Sequence, residues 1–276
     1  MFKNMKIIEG NRKKRIIMKK AIIIISLSIF IFLLVEGCGV NKKNNCNNDD
    51  CVIQFKDANL AKAIKTYNFG LKEEENITLK EAKNVTKLYL DRSEIENITD
   101  LKFFVNLEQL ELTGNQIEDI STLKYLIYLK ELSLGENKIT NIEDLHELIN
   151  LQSLSLKGNK IKDIRTLKKL TNLQVLVLDD TNISELKYLI NLQFLFLGNN
   201  QIKDISDLKS LKKLKHLDLI GNHISDITTL KELSFLGIKG NSLPKDCMNN
   251  IIIVGKVQLN IESKELIQAY LEKCAI

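Results

Sequence analysis

LQSLSLKGNKIKDIRTLKKLTN, residues Leu151–Asn172, is repeated nearly letter for letter on either side of itself. Leucines stand at its first, fourth and sixth positions (Leu151, Leu154, Leu156). Asn159, Ile161, Ile164, Leu167 and Leu170 follow, and the pattern restarts at Leu173. Equivalent units begin at Val85, Leu107, Leu129, Leu151, Leu173, Leu192, Leu214 and Leu233; five of the seven intervals span 22 residues, and those from Leu173 and Leu214 span 19. A fixed period of this size predicts a stack of equivalent supersecondary units, none of which can bury its apolar face alone.

Each position in the unit has a physical reason. The alternation Leu154-Ser155-Leu156 predicts a short strand with both leucines on one face and the serine on the other. Stacking the units aligns these strands into a parallel sheet, one strand per unit. Asn115, Asn137, Asn159, Asn200, Asn222 and Asn241 recur where the chain turns away from the strand. A buried amide there can satisfy backbone donors and acceptors that no strand or helix covers. Ser93 and Thr181 take this place in the first and fifth units, and each can make fewer such bonds. Ile117, Ile120, Leu123, Leu126 and their equivalents fill the core behind the sheet. Asp119, Asp163, Asp204 and Asp226 recur once per unit just before a core isoleucine, which points to turn capping and not to a carboxylate pair.

The run L-x-x-L-x-L-x-x-N is the leucine-rich repeat signature. The downstream I-x-D-I-x-x-L-x-x-L resembles the internalin and protein-phosphatase-regulator type. The resemblance implies an α/β leucine-rich repeat solenoid, or horseshoe: a parallel concave β-sheet and convex 3₁₀-type turns over residues 85–243, closed by a helical N-terminal cap and a mixed C-terminal cap. Phe55–Leu71, FKDANLAKAIKTYNFGL, is similar to the helical N-terminal cap of internalin-type proteins, which implies a cap over residues 53–84. Within it, Asp57 is expected to cap a helix carrying Leu60, Ala61 and Ile64 on one face and ending near Gly70. Thr78-Leu79-Lys80-Glu81 fits a capping box that opens a second short helix. Such a cap would cover the first core layer and the unpaired groups of the first strand.

Beyond Asn241, Leu243-Pro244 ends the regular pattern. Val257, Leu259 and Ile261 alternate as a closing strand, and Ser263 caps a helix with Leu266, Ile267, Tyr270 and Leu271 on one side. Residues 244–276 thus read as the C-terminal cap. Cys247 and Cys274 lie at its two ends, where they would form a stapling disulfide or two small buried thiols.

The formal net charge of +5 comes from the front of the chain. Residues 1–37 hold eight Lys/Arg against two Glu; the remainder holds 32 basic and 33 acidic residues, a net of −1. That balance gives no global bias toward nucleic acid or an anionic membrane. Lys-rich sequence (Arg12 to Lys20) precedes AIIIISLSIFIFLLV, an apolar run of fifteen residues from Ala21 to Val35. A bilayer span needs about 20 residues, so this length fits a signal-peptide h-region. Met18 would also serve as a compact start in place of Met1. Val35-Glu36-Gly37-Cys38 resembles the lipobox of bacterial lipoproteins, which implies lipidation of Cys38 and membrane anchoring; Glu36 stands where a small or uncharged residue is usual. An uncleaved N-terminal anchor is the alternative. Residues 38–52 contain almost no apolar side chains and read as a flexible tether. Cys46 and Cys51 within it match no zinc spacing and lack a histidine, leaving a local disulfide or free thiols.

No catalytic arrangement emerges. His146, His216 and His223 form no Cys–His or Ser–His–Asp set, and Gly114, Gly135, Gly158, Gly198, Gly221 and Gly240 serve turns in separate units. No cofactor and no metal are expected. The strand residues pointing away from the core form two columns on the concave face. One runs Lys87, Gln109, Glu131, Ser153, Val175, Phe194, His216, Phe235; the other Tyr89, Glu111, Ser133, Ser155, Val177, Phe196, Asp218, Gly237. Val175, Val177, Phe194 and Phe196 cluster on adjacent strands, with His216 and Phe235 beyond and Tyr89 at the opposite end. Cross-strand packing would explain the cluster at roughly 0.2–1 kcal/mol per pair. A partner anchor explains it better, because a concave face has no second layer to cover it. The resemblance to internalins implies a monomeric, surface-directed protein that binds a host or cell-surface protein; a scaffold or inhibitor of the cell's own envelope proteins is the alternative. No second adhesion module or cell-wall sorting tail is legible, so an invasion role is not implied.

Overall fold

The computed structural model describes residues 49–161, 163–181 and 191–224, and the backbone of Leu236–Gly237. Cys38, Cys46, Phe235, Cys247 and Cys274, and the whole C-terminal cap, lie outside these residues. Among the described residues no helix is long and apolar enough to cross a membrane.

Every unit contributes one short strand: β1 Lys87–Tyr89, β2 Gln109–Glu111, β3 Glu131–Ser133, β4 Ser153–Ser155, β5 Val175–Val177, β6 Phe194–Phe196, β7 His216–Asp218 and β8 Leu236–Gly237. They form one open parallel sheet in chain order. The pairing joins equivalent positions, with Leu88, Leu110, Leu132, Leu154, Leu176, Leu195 and Leu217 facing the core as a continuous row. The register passes unchanged through the 19-residue unit, since Val175 pairs with Phe194 and Val177 with Phe196. The three missing residues therefore fall in the connection between β5 and β6 and not in the strands.

Behind the sheet the chain returns through five-residue 3₁₀ turns, at Thr99–Phe103, Ser121–Tyr125, Glu143–Glu147, Arg165–Lys169 and Ser206–Ser210. A recurring carboxylate or amide starts each one. Asp119, Asp163 and Asp204 accept the amides of Ser121, Arg165 and Ser206, and Asn97 and Asn141 do the same for Thr99 and Glu143. These aspartates are turn caps, as their position in the repeat implies. The leucine and isoleucine rows between strand and turn are buried throughout.

The asparagines form a ladder of hydrogen bonds between units. Asn159 donates to Leu134 O (2.8 Å) and Leu156 O (2.9 Å) and accepts from the Ile139 amide (3.0 Å). Asn115, Asn137, Asn200 and Asn222 bond in the same way, each to its own unit and to the preceding one. The residue before each ladder position sits in the left-handed region: Arg92, Gly114, Glu136, Gly158, Asp180, Asn199 and Gly221. Only three of the seven are glycine, so the fold tolerates a side chain at this strained position.

The ladder is interrupted at Thr181. Its hydroxyl donates to Leu178 O within its own unit and its amide to Asn200 Oδ1 ahead, but the side chain makes no bond back to the fourth unit among the described residues. The Ile161 amide, which would face an asparagine oxygen, has no acceptor among the described residues. Thr181→Asn should mend this rung. Two added buried bonds at about 0.5–1.5 kcal/mol each predict a gain of roughly 1–3 kcal/mol, visible as a higher thermal midpoint. An unchanged or lower midpoint would show that the fifth unit cannot accept the amide.

The N-terminal cap is built as its sequence signals imply. Asp57 caps Ala58–Ala63 through the Leu60 amide, a π-helical turn continues through Ile64–Phe69, and Gly70 ends it in the left-handed region. Leu60, Ala63 and Ile64 are buried, while Ala61 is partly exposed. The buried set follows the i, i+3, i+4 spacing, so the inward alanine is Ala63 and not Ala61. Thr78 and Glu81 form the expected capping box at Leu79–Asn84. Residues 49–52, which read as tether, pack along the cap: Val52 bridges Thr78, and Leu79 and Lys80 donate to Cys51 O and Asp49 O. Cys51 is a buried free thiol.

Two cap side chains close the open end of the stack. The Asn68 amide donates to Tyr89 O (3.1 Å) and accepts from Tyr89 N (2.9 Å), standing in for the strand that would precede β1. The second oxygen of Asp57 accepts the Glu96 and Asn97 amides of the first unit. Burial alone would raise the Asp57 carboxyl, but the surrounding amides outweigh it and hold the group below the usual carboxylate range.

Candidate partner-binding face

The register puts both outward columns where alternation places them. Lys87, Gln109, Glu131, Ser153, Val175, Phe194 and His216 run across seven strands in one row, and Tyr89, Glu111, Ser133, Ser155, Val177, Phe196 and Asp218 in the next. Adjacent strands stand about 4.8 Å apart, so each row is a line of touching side chains. The face divides by chemistry. Polar groups pair over β2–β4: Gln109 donates to Glu111, and the Thr113 and Ser133 hydroxyls meet at 2.8 Å.

Over β5–β7 the face becomes apolar and aromatic. Phe194 is 39 % exposed, while Val175, Val177, Phe196 and His216 are half-buried against one another. The His216 ring leans over Phe196, with centroids 4.8 Å apart, and stands 6.3 Å from Phe194. Burial holds its imidazole below the ordinary histidine value, against an opposing pull from Asp218. His216 therefore joins the patch as a largely neutral ring near pH 7. The sheet thus brings together five of the residues singled out in the sequence: Val175, Val177, Phe194, Phe196 and His216. Tyr89 is 50 % exposed at the far end, on β1, where Asn68 of the cap bonds its backbone, and belongs to a different part of the face.

One participant was not legible in the columns. Asp179 follows β5, and its carboxylate lies across the neighbouring strand and accepts the Gly198 amide. A Cβ on Gly198 would come within 2.8 Å of that oxygen, so glycine makes the crossing sterically available. Burial raises the Asp179 carboxyl, and the like charges of Asp218 and Asp180 add to this. The signal in the sequence is the pair Asp179 and Gly198 at equivalent positions of adjacent units. Asp91 caps Thr113 in the same way at the start of the stack.

Elsewhere, His146 sits in a convex turn, hydrogen-bonded to Glu143 O and facing Glu147. Among the described residues no group of three or more His, Cys, Asp or Glu side chains is placed to hold a metal ion.

A stack of single-strand units, tied by an asparagine ladder and presenting one face of an open parallel sheet, defines a leucine-rich repeat protein of the protein-binding type. A family profile described as Leucine Rich repeats (2 copies) matches residues 105–147, 128–169, 149–189 and 190–232. The chain belongs to the internalin family. Its fold matches internalin C2 from Listeria monocytogenes at 34% identity and a TM-score of 0.65, over 69% of this chain and 87% of that one. A second Listeria monocytogenes internalin, inlF, matches at 32% identity and a TM-score of 0.59, over 70% of this chain and 65% of that one. The functional domain of InlJ from the same organism shares the fold at 23% identity and a TM-score of 0.61, over 69% of this chain and 42% of that chain. No curated protein matches the sequence.

Proposed function

We propose that this protein is exported, anchored to the bacterial membrane through lipidated Cys38, and binds a protein partner through the concave patch on β5–β7. Export and anchoring rest on the Lys-rich front, the fifteen-residue apolar run and the Val35-Glu36-Gly37-Cys38 stretch. Two or more acyl chains on Cys38 would hold the protein stably at the membrane. The binding reading is carried by one observation. Phe194 stands exposed at the centre of Val175, Val177, Phe196 and His216 on a sheet face that no other described residues cover. Grouped aromatics that face solvent mark interaction sites and supply most of their binding energy.

Affinity capture with the full chain, from envelope extracts of the producing cell and membrane extracts of host cells, tests this. A partner retained by the wild type should be lost by the Phe194→Ala, Phe196→Ala variant, with a fall of about 1,000-fold in affinity if two anchors each contribute about 2 kcal/mol. Circular dichroism should show the variant folded, because neither ring lies in the core. Equal retention of every partner by the folded variant would remove the reading. The extract that yields the partner separates a host-directed receptor binder from a scaffold of the cell's own envelope.

A further inference from the structure

We infer that the β5–β7 patch is built for a protein segment carrying an apolar side chain next to a lysine or arginine. The inference rests on the proposed binding role of this face and specifies what it recognises. The observation is the charge set around Phe196. Asp218 lies beside it on β7 in the same row. Asp179 reaches over Gly198, one step along the sheet from Phe196. The two carboxylates are close enough to repel each other, and Asp180 adds a third. Among the described residues, Lys157 is the cation that acts on Asp179.

Each carboxylate has one oxygen engaged with backbone, Asp179 with the Gly198 amide and Asp218 with the Ile220 amide at 2.9 Å. The second oxygen of each has no hydrogen-bond partner among the described residues. Turn geometry accounts for the engaged oxygens, and Asp218 stands next to Phe196 across the β6–β7 pair. Placing two repelling carboxylates at the rim of an apolar surface is costly in the free protein. An incoming ammonium or guanidinium would relieve that repulsion while its neighbour's side chain covers Phe194 and Phe196. A guanidinium fits best, because its planar fork can meet two carboxylates and its face can lie on an aromatic ring. An acidic segment would meet like charge at the same rim and be rejected.

Selection of a random dodecapeptide library, displayed on phage, against the immobilised full chain in mild detergent tests the inference. The wild type should enrich peptides with Lys or Arg adjacent to an aromatic or aliphatic residue. A synthetic peptide of the enriched sequence should bind the Asp179→Asn, Asp218→Asn variant about tenfold more weakly, and its affinity for the wild type should fall with added salt. The asparagines keep the acceptor for the Gly198 and Ile220 amides, so the fold is retained. Enrichment of neutral or acidic peptides, no enrichment, or equal affinity for the variant would each overturn the basic preference. Loss of all enrichment with Phe194→Ala, Phe196→Ala would uphold the binding face whatever the charge preference; enrichment unaffected by that variant would remove the face itself. Self-association of the wild type that the phenylalanine variant abolishes would make a second copy the occupant, and would also overturn the inference.

Discussion

Asn159→Ala should destabilise the protein by roughly 2–5 kcal/mol, among the largest effects of any single substitution in the repeats. The side chain is 1 % exposed and bonds at both ends. Its oxygen accepts the buried Ile139 amide, one unit earlier, and its nitrogen donates to Leu156 O within its own unit. Alanine would strand both groups away from water, and each orphan costs about 1–3 kcal/mol. Leu134 O suffers less, because Asn137 also donates to it. Lys160→Ala, one residue on and exposed, is the natural control and should change stability by less than about 0.5 kcal/mol. Denaturant midpoints for the two variants check this. Coincident midpoints would mean that water or relaxed backbone takes over the ladder's bonds.

Leu156→Ala should cost about 2–5 kcal/mol by a different route. The ladder acts through bonds between units; this leucine acts by filling the layer behind β4. It is fully buried, with Leu134 and Leu178 as its equivalents on either side. Removing three carbons leaves a cavity that neighbouring layers, themselves held by the ladder, cannot easily close. Lys157→Ala, adjacent in sequence and exposed, should be near neutral. Because each unit contacts only its neighbours, the loss should also loosen the third and fifth units more than the first. Hydrogen exchange would resolve that gradient. Equal thermal midpoints for Leu156→Ala and Lys157→Ala would contradict the register on which the concave face depends.

Much of this was legible in the residues because a repeat multiplies a weak signal. One L-x-L triplet says little; eight at fixed spacing define a strand, its inward face and its neighbours. The alternation in Val175-Leu-Val and Phe194-Leu-Phe therefore places these four side chains on one face of adjacent strands. The ladder was visible for the same reason, including its weak rung at Thr181. What stayed hidden are contacts made once. The Asn68 amide replaces a strand at Tyr89, and the second oxygen of Asp57 reaches two amides some 40 residues on. Each depends on a single rotamer and on a neighbour brought close by stacking, which no period announces. The lean of His216 toward Phe196 in preference to Phe194 is of the same kind. The choice between Ala61 and Ala63 failed on a finer point. In a helix of six residues followed by a wider π turn, the first few apolar positions leave the buried face underdetermined.

Photo-cross-linking from defined positions tests the central claim most directly, because it reports which face a partner touches. A benzophenone side chain would replace Phe194 on the concave patch, and in separate proteins Lys124 or Lys168 on the convex turns, each in the full chain. After illumination in the extract that yields a partner, the protein with the probe at position 194 should form a covalent adduct with it. The proteins with probes at 124 and 168 should form none. Adducts from the convex positions, with position 194 silent, would contradict the assignment of the concave patch as the binding site.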